Sequence, residues 1–340
     1  MEKKYFGTGP KGPVDAYTLK NSNGMAVTIL TMGGIVQKLL VPTDGGPADV
    51  CLGYDTLEEY LAGRSYFGAL IGRNGNRIAN AEFSIDGKRY PVTPNSGRHQ
   101  CHGGLEGFDR KLWAAEAAGN SLRLTYLSPD GEEGFPGNVQ VTVTYTLGED
   151  NSLRIDYRAV PDWDTVVNLT NHTYFNLNGG GSVENHTLWV DADRYTVNDD
   201  EIIPTGEIAA VAGTCLDFRT PKELLLEIDD PMLQKIGGYD HNFCLNGSGL
   251  RKVAALNNGA LTMEVETTCP GLQLYCAAYK RPVNGKNGAR YAGRCFVCLE
   301  TQAYPDAVHH ENFPSTVVRA GETYAETTVY RFRRRSDEII

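Results

Sequence analysis

Asn168-Leu169-Thr170-Asn171-His172-Thr173-Tyr174-Phe175-Asn176-Leu177 lies between the apolar pair Val166-Val167 and the cluster Gly179-Gly180-Gly181. Apolar and polar residues roughly alternate along it, the period of a strand with side chains on both faces. Three asparagines, two threonines, a histidine and a tyrosine crowd into these ten residues. Asparagine is depleted in strands, so three of them ask for a reason beyond local propensity. A concave face that holds a polyhydroxylated ligand supplies one, because each buried amide must find a partner. A polar sheet edge with one surface histidine is the plainer alternative, and the ten residues alone do not choose between them.

The same period of two runs outward in both directions. Val139, Val141, Val143, Tyr145 and Leu147 alternate with Gln140, Thr142, Thr144 and Thr146, which predicts a half-buried antiparallel strand. Leu153, Ile155 and Tyr157 continue it after Gly148-Glu149-Asp150-Asn151, making a hairpin. Phe83-Ser84-Ile85 and Tyr90-Pro91-Val92 flank Asp86-Gly87-Lys88-Arg89, where Asp-Gly suits a tight turn. Helices are few. Thr56 and Glu59 form a capping box ahead of a short helix that ends before Gly63, and a second helix is expected over 221–226. With no repeat and no linker, the chain reads as all-β: one large antiparallel β-sandwich, a single domain over 1–340.

Composition narrows the function. Of 340 residues 41% are hydrophobic and 22% charged, enough for a packed core. Net charge is −10, and the cations are scattered except over 331–335, so nucleic acid is not an expected partner. No run of about 18 apolar residues exists to span a membrane. The N-terminus lacks the apolar core of a signal peptide, so the eight cysteines are expected to be reduced and the protein cytoplasmic. Cys295 and Cys298 have the spacing of a metal pair, but in a strand they point to opposite faces, and no metal site is expected.

Several residues have side chains and settings that suit chemistry. Gly72-Arg73-Asn74-Gly75-Asn76-Arg77 lacks the ending of a phosphate loop and reads as a turn presenting Asn76 and Arg77. His102 precedes Gly103-Gly104, where backbone can approach a ligand closely. Asp240 lies in the turn-rich segment Gly238-Tyr239-Asp240-His241. Glu300 closes the apolar run 295–299, and burial there raises a carboxyl toward neutrality, as a general base needs. A structural ion pair between Glu300 and an arginine is the competing reading. These residues together predict a polar, sugar-sized cleft with one acid and two histidines, and no named reaction.

Resemblance adds the reaction. Asn168-x-Thr170-Asn171-His172-x-Tyr174-Phe175-Asn176-Leu177 resembles the signature of the aldose 1-epimerases, or galactose mutarotases. Gly72-Arg73-x-x-Asn76-Arg77-Ile78, His102-Gly103-Gly104, Asp240-His241-Asn242-Phe243, Gly271-Leu272-Gln273-Leu274-Tyr275 and Leu299-Glu300-Thr301-Gln302-x-Tyr304-Pro305-Asp306 are similar to the family's pattern, in family order over nearly the whole chain. The resemblance implies a supersandwich that interconverts the α and β anomers of free aldohexoses without a cofactor; the sequence does not choose between a monomer and a homodimer. It implies Glu300 as general base toward the C1 hydroxyl and His172 as general acid toward the ring oxygen. The two are expected to face each other across a pocket one pyranose wide. Asn76, Arg77, His102, Asp240 and Gln273 would hold the sugar. Asn74-Gly75 and Cys101 depart from the pattern, which bears on the pocket rim and sugar preference.

Two alternatives stay open at this point. A hexose-phosphate 1-epimerase would need a cationic cluster at the pocket mouth, for which Arg73, Arg77 and Arg98 are available. A non-catalytic carbohydrate-binding sandwich would have no use for a matched proton donor and acceptor. A retaining glycosidase is disfavoured, since such enzymes use two carboxylates and only Glu300 is evident.

Overall fold

The structure, a computed structural model, describes residues 1–63, 65–225 and 227–338. Two antiparallel sheets carry most of it. The larger has nine strands, in the spatial order Ala114–Ala118, Ser121–Ser128, Val139–Leu147, Ser152–Pro161, Tyr324–Arg334, Leu261–Thr267, Arg251–Asn257, Thr187–Val190 and Lys222–Glu223. The other has six: Tyr174–Phe175, Val297–Gln302, Gly271–Ala277, Gly238–Cys244, Arg194–Asn198 and Pro204–Ala210. A five-stranded meander over residues 2–49 precedes both.

Alternation drives the sandwich. Along Val139–Leu147 the odd positions are buried and the even ones reach the surface side. Leu122, Val141, Ile155, Met263 and Tyr330 of the nine-stranded sheet share one core with Tyr239, Phe243, Leu272, Leu274 and Leu299 of the six-stranded sheet. Each such side chain contributes roughly 1.5–3 kcal/mol by leaving water. The hairpins form as read: Val139–Leu147 pairs with Ser152–Pro161, and Glu82–Ile85 with Lys88–Pro91 around Asp86 and Gly87, both at positive φ. The arginines over 331–335 do not form a free basic patch, since Arg331, Arg333 and Arg334 pair with nearby carboxylates. No helix among the described residues is long and apolar enough to cross a membrane.

Three expectations are corrected. The opening stretch is not one strand: Thr170–His172 pairs with Ala69–Ile71, and Tyr174–Phe175 with Val297–Gln302. Its asparagines do not face a ligand, because their amides bind backbone that the broken ladder leaves unpaired. Asn168 accepts from Ala303 N, Asn171 donates to Gly68 O, and Asn176 donates to Cys295 O and Gly181 O. Over 221–226 there is a short strand, Lys222–Glu223, and a turn instead of a helix; Leu226 lies outside the described residues. The helix Leu57–Ala62 (α1) has its capping box, while Pro231–Ile236 (α2) forms where none was expected, capped by Asp230.

Candidate active site

The strand Val297–Gln302 is buried on both faces and sorts its side chains by parity. Val297 and Leu299 enter the sandwich core, and Glu300 turns to the opposite face, into a cavity of about 430 Å³. Register brings its neighbours alongside: Gln273 pairs with Glu300, and Asn242 with Gln273. Asp240 and Tyr275, of the same parity as these, also reach the cavity.

Two loops supply the remaining polar groups. Asn76 and His102 both sit at positive φ, and the loops interlock there. His102 N donates to Asn76 O at 3.0 Å, and Asn76 N donates to His102 Nδ1 at 3.2 Å. Gly103 is needed for this approach, since a Cβ on it would stand 1.9 Å from Gly72 O. The glycines after His102 therefore admit a neighbouring loop, not a ligand as their sequence context suggested. Arg73 is buried away from the cavity, donating to Ser128 Oγ at 2.7 Å and Pro136 O at 2.8 Å. Arg77 faces the cavity and pairs with Asp240 Oδ2 at 3.3 Å. Asp240 Oδ1 accepts from Gln273 Nε2 at 2.6 Å.

Glu300 has no arginine on it; its partner is His172, with Nε2 3.5 Å from Oε1. Burial pushes the Glu300 carboxyl well above the usual carboxylate range; Asp240 adds to that and Arg77 opposes it. Burial likewise lowers His172 to about 4, against the opposing pull of Asp240. Both shifts disfavour the charged forms, so burial opposes a fixed ion pair at this contact. Glu300 Oε2 and His172 Nδ1 are buried with no protein hydrogen-bond partner. The two groups stand side by side and do not face each other across the cavity.

Polar atoms of His102, His172 and Glu300 lie within 4.8 Å of one another, a spacing that would also suit a cation. The tautomer of His102 argues against one. Because its Nδ1 accepts the Asn76 N–H, the ring proton sits on Nε2, and neither nitrogen keeps a lone pair for a metal. His102 then offers an N–H donor.

Of the seven residues singled out in the sequence, Asn76, Arg77, His102, His172, Asp240 and Glu300 line this one cavity. Gln273 stands behind Asp240 and is not among the lining residues. The sequence reading missed Tyr66, Tyr275 and Ile202. Parity with Gln273 was available as a signal for Tyr275; Tyr66 and Ile202 lie in loops with no period to mark them. Clefts of about 430 Å³ at residues 9–12 and about 530 Å³ around Trp163 contain no histidine beside a buried acid.

A family model described as aldose 1-epimerase matches residues 15–331. The chain is 43% identical to a human galactose mutarotase and 42% identical to the bovine one, each over 98% of both chains. In structure it is similar to an aldose epimerase homologue from C. elegans, with a TM-score of 0.86 at 30% identity, over 94% of this chain and 98% of that one.

Proposed function

This chain belongs to the aldose 1-epimerase family, and on that premise we propose how it acts: Glu300 removes the C1 hydroxyl proton of an aldopyranose while His172 protonates the ring oxygen. The activity is mutarotation, the interconversion of α and β anomers of free aldohexoses such as glucose and galactose. The observation that carries the assignment of roles is the 3.5 Å contact between His172 Nε2 and Glu300 Oε1 inside a buried cavity.

Opening a hemiacetal moves one proton off O1 and one onto O5, and both oxygens are bonded to C1. The acid and the base must therefore be neighbours, which is why a side-by-side pair serves better than an opposed one. A pair that holds a single proton matches this balance: as the ring opens, carboxylate and imidazolium become carboxyl and imidazole. Burial favours that neutral form, so the open-chain aldehyde is accompanied by the protonation state the cavity prefers. After rotation about C1–C2, the same two groups with roles reversed close the ring on the other face. Asp240, Arg77, Asn76 and the His102 Nε2–H hold hydroxyls, and Gln273 fixes the Asp240 carboxylate from behind.

A phosphorylated sugar is disfavoured. Arg98 is bound to Glu201 and Arg73 to backbone, which leaves Arg77, already paired with Asp240, as the one cation lining the cavity among the described residues. The cavity is built from one chain, so the reading holds for a monomer or a homodimer acting as one domain over 1–340. Eight free cysteines, seven of them buried, support a reducing, cytoplasmic setting.

Polarimetry on freshly dissolved α-glucose and α-galactose tests the proposal. The wild type should speed relaxation of the optical rotation, and Glu300→Gln or His172→Gln should each lower the rate by about 10²–10⁴-fold. Relaxation at the buffer rate for both sugars overturns the activity; a fully active Glu300→Gln overturns the roles. Glucose 6-phosphate, run in parallel, should be the poorer substrate.

A further inference from the structure

Of the ten non-glycine residues with positive φ among the described residues, Ile202 alone is β-branched. The others include asparagines and aspartates, which tolerate the left-handed region; an isoleucine at φ 60° does not do so without strain. Such a conformation persists only where the surroundings over-determine it, and it points to a use for the side chain.

The surroundings here do over-determine it. Asp199 Oδ1 accepts from Glu201 N at 2.8 Å and Ile203 N at 3.0 Å, and Ile202 N donates to Asp199 O at 3.2 Å. The Glu201 carboxylate pairs in turn with Arg98 and lies 3.3 Å from His99 Nε2. His99 is itself oriented, because its Nδ1 accepts from Asn80 N at 3.0 Å and its proton must sit on Nε2. Residues 199–203 are thus strapped to the segment that leads directly into Cys101 and His102, both of which line the cavity. Ile202, half-buried, lines it too, among side chains that are otherwise mostly polar or aromatic.

We propose that Ile202 is a substrate-binding residue: an apolar wall of the sugar cavity, held in a left-handed conformation by Asp199 and the Glu201 latch so that it packs on the C–H surface of a bound aldose. This rests on the mutarotase reading. An apolar wall acts on the closed ring and on the opening ring alike, so it contributes uniform binding, which appears in KM and not in kcat.

Ile202→Asn and Ile202→Leu separate this role from ordinary packing. Asparagine is at ease at positive φ but removes the apolar surface; leucine keeps the surface and remains strained. Ile202→Asn should raise KM for glucose and galactose about 3- to 10-fold, leave kcat within about twofold, and not lower the thermal midpoint. Ile202→Leu should restore KM to within about twofold of wild type. The proposal is overturned if Ile202→Asn leaves KM unchanged, if it lowers kcat instead, if its thermal midpoint drops, or if leucine fails to rescue. Calorimetric titration of an aldose into Glu300→Gln with and without Ile202→Asn keeps the two readings apart. A wild type without mutarotase activity that still binds sugar, more weakly after Ile202→Asn, overturns the reaction and leaves the wall standing.

Discussion

His172 is held between two aromatic faces. Tyr174 stacks on it with centroids 4.8 Å apart at 16°, and Tyr66 lies over it at 5.7 Å and 19°. Tyr66 also meets His102 edge-on at 4.7 Å, so one loop residue orients both histidines. Aromatic contacts of this kind contribute roughly 0.5–1.5 kcal/mol each, and a misplaced acid costs rate out of proportion to the distance it moves. Tyr66→Ala is therefore expected to lower kcat about tenfold, while Tyr66→Phe, which keeps the ring, stays within about twofold. Stopped-flow polarimetry decides it; full kcat in Tyr66→Ala would show that the ring does not position His172. Tyr66 also marks the limit of what single residues disclose. Glu300 was legible because a carboxyl closing an apolar run has a large desolvation cost that must have a cause. The roles of His172 and Asp240 came from resemblance, since their own surroundings in the sequence left several chemistries open. Gln273 donates to Asp240, a contact the sequence did not disclose, because alternation fixes which face a side chain takes and says nothing of its depth.

The strand Val297–Gln302 shows how an element carries both stability and chemistry. Leu299, 1% exposed, packs in the core between the two large sheets, and its carbonyl accepts from Tyr330 Oη at 3.2 Å. Glu300 takes the opposite face, so a one-residue slip of register would bury the carboxyl in the core and turn leucine into the cavity. Leu299→Ala keeps the register, which the ladder to Gly271–Ala277 maintains, but leaves a void. Equilibrium urea unfolding should show a loss of about 2–5 kcal/mol with KM near wild type. A loss below about 1 kcal/mol would mean that the core collapses around the missing atoms. Elements whose partner is adjacent in sequence were the legible ones: the hairpins, the Asp86-Gly87 turn and the capped α1 all announce themselves locally. The stretch 168–177 was misread because its two strand partners, Ala69–Ile71 and Val297–Gln302, are far away in the chain. α2 carried its signals openly, with Asp230 as cap, Pro231 first and Gly237 left-handed at the end, but six residues give too little apolar period to register.

For the molecule as a whole, burying histidines sets the response to acid. Burial lowers His172, His186 and His241 to about 4 and His102 well below its usual 6.5. Three of them also accept a backbone N–H, from Asn76 to His102 Nδ1, Leu177 to His186 Nε2 and Asp240 to His241 Nδ1, and a proton on that nitrogen would break the bond. The unfolded chain, with ordinary histidines, takes up these protons as pH falls below about 6.5, and the folded chain does not, so stability is lost over the window from about 6.5 to 4. Two buried carboxyls act the other way. Asp109, raised to about 6 by burial, and Glu300, which burial pushes well above the usual carboxylate range, are protonated in the fold before they are in the unfolded chain, and each adds stability as pH drops. His309, raised chiefly by its hydrogen bond to Asp306, has a folded value above the unfolded one and matters on the near-neutral side of the window. Four histidines against two carboxyls leave a net uptake of about two protons on unfolding, a slope of roughly 2–3 kcal/mol per pH unit near pH 5. Against a total stability of about 5–15 kcal/mol, that brings the fold close to failure by pH 4. Urea unfolding followed by tryptophan fluorescence at pH 6.5, 5.5 and 4.5 should show the midpoint falling steeply. His186→Gln isolates one contribution, since His186 does not line the cavity. It should reduce the slope by about one proton, or roughly 1.4 kcal/mol per pH unit. A midpoint that stays flat from pH 6.5 to 4.5 in the wild type would show that these imidazoles are protonated inside the fold, and with that the neutral His172 beside Glu300 would be lost.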